Sequence, residues 1–206
     1  MRTHRLLYGA LWLGLVGYWL LSPPPPQDLL GELTALALAD TSRVDPIAIA
    51  IFNLLGVLPT AFLAIVLFDT GRPRAWPFAI GGYFLGGIML LPYLVLRDAR
   101  APLDASPGHF VRAIGSRVAG WTLLAITLAL VGFALVAGSP QAFAAQLASS
   151  QFIAVMSADL VALSAALHLA AATDRRRRGL PPAPAWQQLP LVGPLLYLAS
   201  RGSLPR

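Results

Sequence analysis

Hydrophobic residues in this chain are gathered in long stretches without charge, and short polar segments separate them. The clearest stretches run from 46 to 68, from 75 to 96 and from 118 to 137. Each residue of an α-helix adds ~1.5 Å, so a helix of about 20 residues crosses the ~30 Å hydrocarbon layer of a membrane. These stretches predict transmembrane helices, and the fold class that follows is an all-α bundle.

Three further segments bring the predicted number of spans to five or six. Residues 6 to 21 form an apolar run that precedes four prolines, and we interpret it as an uncleaved first helix rather than a signal peptide. Residues 150 to 173 predict another helix. Residues 189 to 200 are apolar but short, so their length leaves a span and a re-entrant segment equally open.

The same pattern divides the chain into three parts. Residues 1 to 27 hold the first helix, as an anchor or a signal-like segment, and its proline spacer. Residues 28 to 45 predict an amphipathic segment at the membrane interface, with Asp28 and Glu32 in a first turn where the helix dipole favours acids. Residues 46 to 206 form the predicted transmembrane bundle, and no internal repeat is evident.

Composition agrees with a membrane protein whose main partner is the lipid bilayer. The chain is 57% hydrophobic and 12% charged, which is about half the charge of a soluble domain. It has no cysteine, and all 15 basic residues are arginine. Because no basic face is interleaved with exposed aromatics, we expect these arginines to face lipid headgroups and expect no nucleic-acid partner.

The arginines give conflicting orientations if six segments span. One side then receives nine arginines and the other six. The run from 175 to 178 favours the cytoplasm, and so do Arg2 and Arg5, yet alternating spans place these two groups on opposite sides. We expect the side of the 175 to 178 run to be cytoplasmic, in a bacterial inner membrane or a thylakoid.

Asp159 is the first candidate for a functional residue. It lies within a predicted span, where a charged carboxylate costs at least ~2.5–3.5 kcal/mol and therefore needs a partner or a proton. It is a candidate proton relay, ligand contact or interhelical lock, or simply a carboxyl bonded to a neighbouring helix. Asn53, in another predicted span, is the expected partner of Asp159.

Other polar residues of the same span lie on the opposite face. Ser157, Ser164 and His168 follow helical spacing and share one side, which is turned away from Asp159. We therefore expect no Asp159–His168 pair. The two serines are typical of helix packing, and His168 is either a polar residue near the helix end or a ligand to a porphyrin metal.

Small residues and a proline mark expected helix contacts. Gly82 and Gly86 form a small-x-x-x-small motif, which lets another helix approach closely, either within the monomer or in a homodimer. Pro59 is expected to kink its helix and free the carbonyl of Leu55, and Thr60 is expected to satisfy the loosened backbone.

Motifs of known catalytic sites are missing. The sequence has no HExxH, no Gly-rich phosphate loop and no Ser elbow, so we assign no catalytic residue, no metal and no cofactor. The aspartates between the spans, Asp45, Asp69, Asp98 and Asp104, are expected to be mostly solvated loop charges.

Four stretches together resemble a family of small polytopic membrane proteins of cyanobacteria and chloroplasts that has no assigned role. They are Phe52 to Pro59; Trp76-Pro77-Phe78 with Leu91 to Leu94 and Arg97; Phe152-Ile153 with Ser157, Asp159-Leu160 and Leu163-Ser164; and Pro190 to Leu198 with Arg201. The resemblance implies a thylakoid or plasma membrane and a role near photosynthetic assembly.

Three functions remain open. The leading hypothesis is a non-enzymatic protein that binds a membrane-protein partner or a hydrophobic ligand, as an assembly or scaffold factor. The second is a small proton-coupled carrier or channel that uses Asp159. The third is a membrane enzyme acting on a lipid or an isoprenoid, with Asp159 or His168 as the acid/base group.

Overall fold

A computed structural model describes residues 2–22 and 28–202 of the chain. The regular secondary structure of the described chain is helical apart from one isolated bridge between Asp69 and Leu103. Its helices are α1 (Arg2–Leu21), α2 (Leu29–Ala37), α3 (Pro46–Val66), α4 (Ala75–Leu85), α5 (Gly87–Leu96), α6 (His109–Ile114), α7 (Arg117–Ala137), α8 (Pro140–Ser149), α9 (Gln151–Arg177) and α10 (Val192–Ser200).

Three of these helices are long and apolar enough to cross a membrane. They are α3, α7 and α9. The all-α class is confirmed and these three helices support a membrane protein, while the five or six spans stay a prediction. Between the predicted spans, residues 97–117 contain α6 and residues 138–149 are largely α8. The first helix is more than an anchor, because its Tyr8 and Leu15 are buried in the main hydrophobic core.

One end of the molecule gathers the arginines, and we call it the arginine-rich end. There Arg5 donates to the carbonyl of Arg97 at 2.8 Å, and His4 lies 3.2 Å from the Thr173 hydroxyl. Arg117 likewise donates to the carbonyl of Arg201. These bonds involve the start of α1, the start of α7 and the end of α9. Helices α1 and α7 therefore run away from this end, and α9 runs towards it.

The opposite end holds the helix caps that join α2 and α8 to the long helices, and we call it the acidic end. Asp45 caps α3 and accepts a second hydrogen bond from the Ser139 N–H at 2.9 Å. Ser150 caps α9 and donates to Glu32 of α2 at 2.9 Å. Each cap therefore also bonds the short helix from the other half of the chain.

The expected single helix from 75 to 96 is two helices that fold back on each other. A Cβ atom added to Gly82 would lie 2.7 Å from the Leu90 side chain, and the ring centres of Phe78 and Tyr93 are 5.5 Å apart. In a straight helix residues eight apart would be separated by about 12 Å. The turn falls at Gly86, whose φ of 50° suits glycine, so α4 and α5 form a first hairpin.

Both ends of the first hairpin lie at the arginine-rich end. Before the hairpin, Phe68 accepts a backbone hydrogen bond from Asp104, which follows the hairpin, and Thr70 donates to Pro102 at 2.7 Å. At ten residues α5 is only about 15 Å long, half of a hydrocarbon layer. The hairpin therefore enters the bundle from one end and returns to it.

The last segment repeats this geometry. A 3₁₀ turn at Ala185–Gln188 leads inward to Leu191, whose φ is 59° and whose N–H donates to the Ser164 hydroxyl, well inside α9. From there α10, nine residues long, returns to Arg201 at the arginine-rich end. This second hairpin agrees with the re-entrant alternative for residues 189 to 200.

The two hairpins belong to an internal repeat that the sequence analysis missed. In the first half α1 packs on α5, and in the second half α7 packs on α10. Across the halves, α1 packs on α9 and α7 packs on α3, while α3 and α9 pack on each other at the centre. Equivalent helices run in the same direction, so the two halves are related as parallel repeats.

Candidate functional site

Asp69 is the centre of a buried cluster at the arginine-rich end. It lies at the end of the α3 segment, and its carboxylate accepts a hydrogen bond from the Tyr93 hydroxyl at 2.7 Å. Arg97 donates to the same oxygen at 3.3 Å, and Arg177 of α9 pairs with the other oxygen. The side chain of Asp69 is 2% exposed, so its expected status as a solvated loop charge is wrong.

Asp174 is the centre of a matching cluster at the end of α9. One of its carboxylate oxygens accepts hydrogen bonds from Tyr197 at 2.7 Å and from Arg178 and Arg201 at 2.8 Å each. Burial lowers the pKa of the Arg201 guanidinium, and the carboxylate of Asp174 opposes that shift. Buried charges need such pairing because their desolvation costs several kcal/mol per ion.

The two clusters occupy equivalent places in the repeat. Tyr93 follows Asp69 by 24 residues, and Tyr197 follows Asp174 by 23. The arginines follow their aspartates by 28 and 27 residues. Sequence reasoning assigned these residues no joint role, although the recurrence of Tyr-x-x-x-Arg after α3 and after α9 was the signal that marks them.

A basic pocket opens beside the Asp174 cluster. It has a volume of about 1210 Å³, and Phe68 lies in its wall. Four arginines line it: Arg112, Arg117, Arg178 and Arg201. The guanidinium of Arg178 lies 5.2 Å from the centre of the Phe68 ring, which places a cation over an aromatic face.

One donor of this pocket has no partner in the described chain. The Arg178 side chain is 5% exposed, and its Nε donates to Asp174, but its Nη2 is buried without a hydrogen bond. A buried donor left unpaired costs about 1–3 kcal/mol, more for a charged group. Arg178 and Arg201 pair with Asp174, whereas Arg112 and Arg117 form no ion pair in the described chain. The pocket therefore has an excess of positive charge and suits an anion.

Asp159 is buried as expected, and its partner is the turn of the first hairpin. Its carboxylate, 7% exposed in α9, accepts a hydrogen bond from the Gly87 N–H at 2.8 Å. A side chain on Gly86 would overlap that carboxylate. Asp159 thus caps the first turn of α5, where the helix dipole favours an acceptor, and of the expected roles this geometry fits the interhelical lock.

Asn53 does not bond Asp159, so that expectation is wrong. Asn53 is exposed on α3, and its side-chain amide donates to the Ile49 carbonyl one turn back at 2.8 Å. Pro59 lies within α3, but Thr60 donates to the carbonyl of Gly56 rather than to that of Leu55. An exposed amide can bond its own helix, which is why no cross-helix partner is needed.

The polar face of α9 is placed largely as expected. Ser157 donates to the Ile153 carbonyl within the helix, while Ser164 accepts from the Leu191 N–H. The ring nitrogens of His168 lie 2.9 Å from the Ser164 carbonyl oxygen and 3.0 Å from that of Leu189. Both contacts are to carbonyl acceptors, and a neutral imidazole has a single N–H, so one of them is a donated hydrogen bond. His168 thus lies between α9 and the second hairpin, and the porphyrin-ligand alternative stays a prediction.

Gly82 and Gly86 pack differently from the expected motif. Gly82 is approached by Leu90 of the same hairpin, not by a helix from elsewhere, and Gly86 forms the turn itself. Within residues 2–22 and 28–202, no three His, Cys, Asp or Glu side chains are grouped to hold a metal ion.

Comparison of the chain with family models, with curated proteins and with solved structures finds no match. The resemblance to the cyanobacterial and chloroplast family therefore stays a prediction.

Proposed function

We propose that the chain is a multi-pass membrane protein with four crossing helices and two re-entrant hairpins. The crossing helices in this proposal are the three apolar helices α3, α7 and α9 and, in addition, the less apolar α1. The support for α1 is its path beside α9, from Arg5 at the arginine-rich end to Trp19, whose carbonyl accepts from Gln151 at the start of α9. The hairpins α4–α5 and 185–200 enter and leave at the arginine-rich end, which supports four crossings rather than five or six. Backbone turns at membrane depth need protein partners, and Asp159 and Ser164 supply them.

We propose that the arginine-rich end faces the cytoplasm, or the equivalent side of a thylakoid. Every arginine position in the described chain except Arg43 lies at this end, while Asp28, Glu32, Asp40 and Asp45 lie at the other. This distribution removes the conflict of nine arginines against six, because the hairpins return their arginines to one side. Basic residues concentrate on the cytoplasmic side of membrane proteins.

The biochemical role we propose is non-enzymatic binding of an anionic amphiphile in the basic pocket. The observation that supports it is the unpaired, buried Nη2 of Arg178 in a pocket lined by four arginines. An apolar ligand tail would lie along the lipid-facing start of α7, where Val118 lines the pocket and is 75% exposed. A charged headgroup and an adjoining apolar wall suit a phospholipid-like ligand.

A titration of the purified protein with short-chain lipids tests this proposal. We expect dihexanoyl phosphatidic acid to bind and dihexanoyl phosphatidylcholine to bind much more weakly. Arg112→Gln removes an exposed arginine of the pocket. It should weaken the binding of phosphatidic acid about tenfold, since a hydrogen bond to a charged group contributes about 1.5–3 kcal/mol. Arg74→Gln, which removes an exposed arginine outside the pocket, is the matched control.

Equal affinity for both lipids, or equal losses in both variants, would contradict a specific headgroup pocket. In that case the lipid would bind through the total positive charge of the protein surface rather than through the pocket.

The proton-coupled carrier remains a second proposal because Asp159 is a buried carboxylate at the inner end of a short helix. Its capping bond uses one of its two oxygens. Liposomes containing the protein should then show proton flux that Asp159→Asn abolishes, although Asn keeps the capping acceptor. Absence of flux with the native protein excludes this alternative and leaves the binding proposal intact.

A further inference from the structure

A second basic pocket lies at the arginine-rich end, in the other half of the repeat. It has a volume of about 390 Å³, and its lining includes His4, Arg5, Tyr8, Arg97 and Arg100. Asp98 also lies at its edge, where its carboxylate accepts a hydrogen bond from the Arg100 backbone N–H. Arg97 is paired with Asp69, so Arg5 and Arg100 are the arginines of this pocket that form no ion pair in the described chain.

The two pockets are built from equivalent parts. In each, an arginine at the start of a crossing helix donates to the carbonyl of the arginine that ends a hairpin: Arg5 to Arg97, and Arg117 to Arg201. Each pocket also includes the residue that precedes a buried aspartate of the other half, Thr173 in the second pocket and Phe68 in the first. The second pocket therefore has wall residues equivalent to those of the first pocket, supplied by the corresponding helices of the repeat.

The second pocket also contains a polar group without a partner in the described chain. Tyr8 is 2% exposed, and its hydroxyl is buried beside Arg97 and Thr173 without a hydrogen bond of normal geometry to either. Buried hydroxyl groups are normally paired, because leaving one unpaired costs about 1–3 kcal/mol. The hydroxyl lies in a pocket whose other groups are mainly cationic, so the partner that fits it is an acceptor.

We infer that this pocket is a second anion site that binds a phosphate group, with Tyr8, Arg5 and Arg100 as ligand contacts. Arginine guanidinium groups match phosphate oxygens in charge and geometry, and a tyrosine hydroxyl adds a neutral donor. The phosphate belongs either to a lipid headgroup or to a free phosphate. The inference rests on the proposed function for its ligand class, but it concerns different residues.

Isothermal titration of the full chain in neutral detergent separates the two sites. With dihexanoyl phosphatidic acid we expect two sites in the native protein and one in the Tyr8→Phe/Arg100→Gln variant. The Arg112→Gln variant should lose affinity only at the other site. If inorganic phosphate displaces the lipid from the second site, the ligand is a free phosphate. If inorganic phosphate does not displace it, the ligand is a lipid headgroup.

Tyr8→Phe keeps the fold testable, because the deleted hydroxyl makes no hydrogen bond of normal geometry with its neighbours Arg97 and Thr173, so its loss should change the thermal midpoint little. We expect at least a fivefold weaker second site in this single variant. One site in the native protein, weakened by Arg112→Gln and unaffected by Tyr8→Phe/Arg100→Gln, would overturn the second site and leave the proposed function standing. No binding by the native protein would overturn both.

Discussion

At the residue scale, Asp159 and Gly86 are the pair on which the first hairpin depends. The carboxylate occupies the space that a side chain on Gly86 would need, and it caps the helix that begins at Gly87. Trp12 adds a second restraint, because its indole N–H donates to the carbonyl of Ile88 at 3.2 Å. That carbonyl has no helical donor, since the residue four positions later is Pro92.

Substitution of Gly86 should be far more harmful than substitution of a glycine in open space. Gly86→Ala places a side chain at a φ of 50° and against Asp159, which should cost at least about 1–3 kcal/mol. Gly56→Ala is the control, because nothing lies near its Cβ position on α3. Thermal unfolding in detergent should show a clear loss for the first variant and little change for the second.

The double variant Gly86→Ala/Asp159→Ala tests whether the two residues act on each other. Removing the carboxylate makes room for the new methyl group, so the combined loss should be smaller than the sum of the single losses by about 0.5–3 kcal/mol. Strictly additive losses would contradict the lock between Asp159 and the turn.

At the element scale, each hairpin is held by a tyrosine and an arginine that bond the aspartate at the end of a long helix. The clusters also join the halves, because Arg177 of α9 pairs with Asp69 and Arg201 donates to the Ala64 carbonyl of α3. Each hairpin is therefore bonded, at the arginine-rich end, to the end of one of the two central helices α3 and α9.

The repeat predicts that Tyr93→Phe and Tyr197→Phe have similar effects. Each deletes one 2.7 Å hydrogen bond to a buried carboxylate, worth about 1.5–3 kcal/mol. Both variants should lower the thermal midpoint by comparable amounts, and Tyr18→Phe, whose side chain is 45% exposed, should not. A large loss in one of the first two variants alone would show that the hairpins are not equivalent.

Sequence periodicity was sufficient for the long helices and insufficient for the hairpins. The continuous apolar stretch from 75 to 96 hides its turn, because lipid-facing and buried positions are equally apolar and Gly86 looks like a packing glycine. The clusters escaped notice because, apart from Arg178, the arginines that pair with Asp69 and Asp174 lie far away in sequence. Asp159 was identifiable, since a carboxylate inside an apolar helix needs a partner.

At the scale of the whole molecule, the parallel repeat explains why charge is divided between the two ends. Each half begins and ends at the arginine-rich end, so its arginines gather there, while the caps of α3 and α9 meet α2 and α8 at the acidic end. Two basic pockets on one face follow from the same arrangement. The central claim is therefore the path of the chain through the membrane.

Cysteine accessibility in intact membranes tests that path most directly, because the native chain has no cysteine. Single variants Ser42→Cys, Arg74→Cys, Ser106→Cys and Ala144→Cys place a thiol at exposed positions. With a membrane-impermeant thiol reagent, we expect positions 74 and 106 to label from one side and positions 42 and 144 from the other. Six crossings would instead pair 42 with 106 and 74 with 144, and that result would contradict the account.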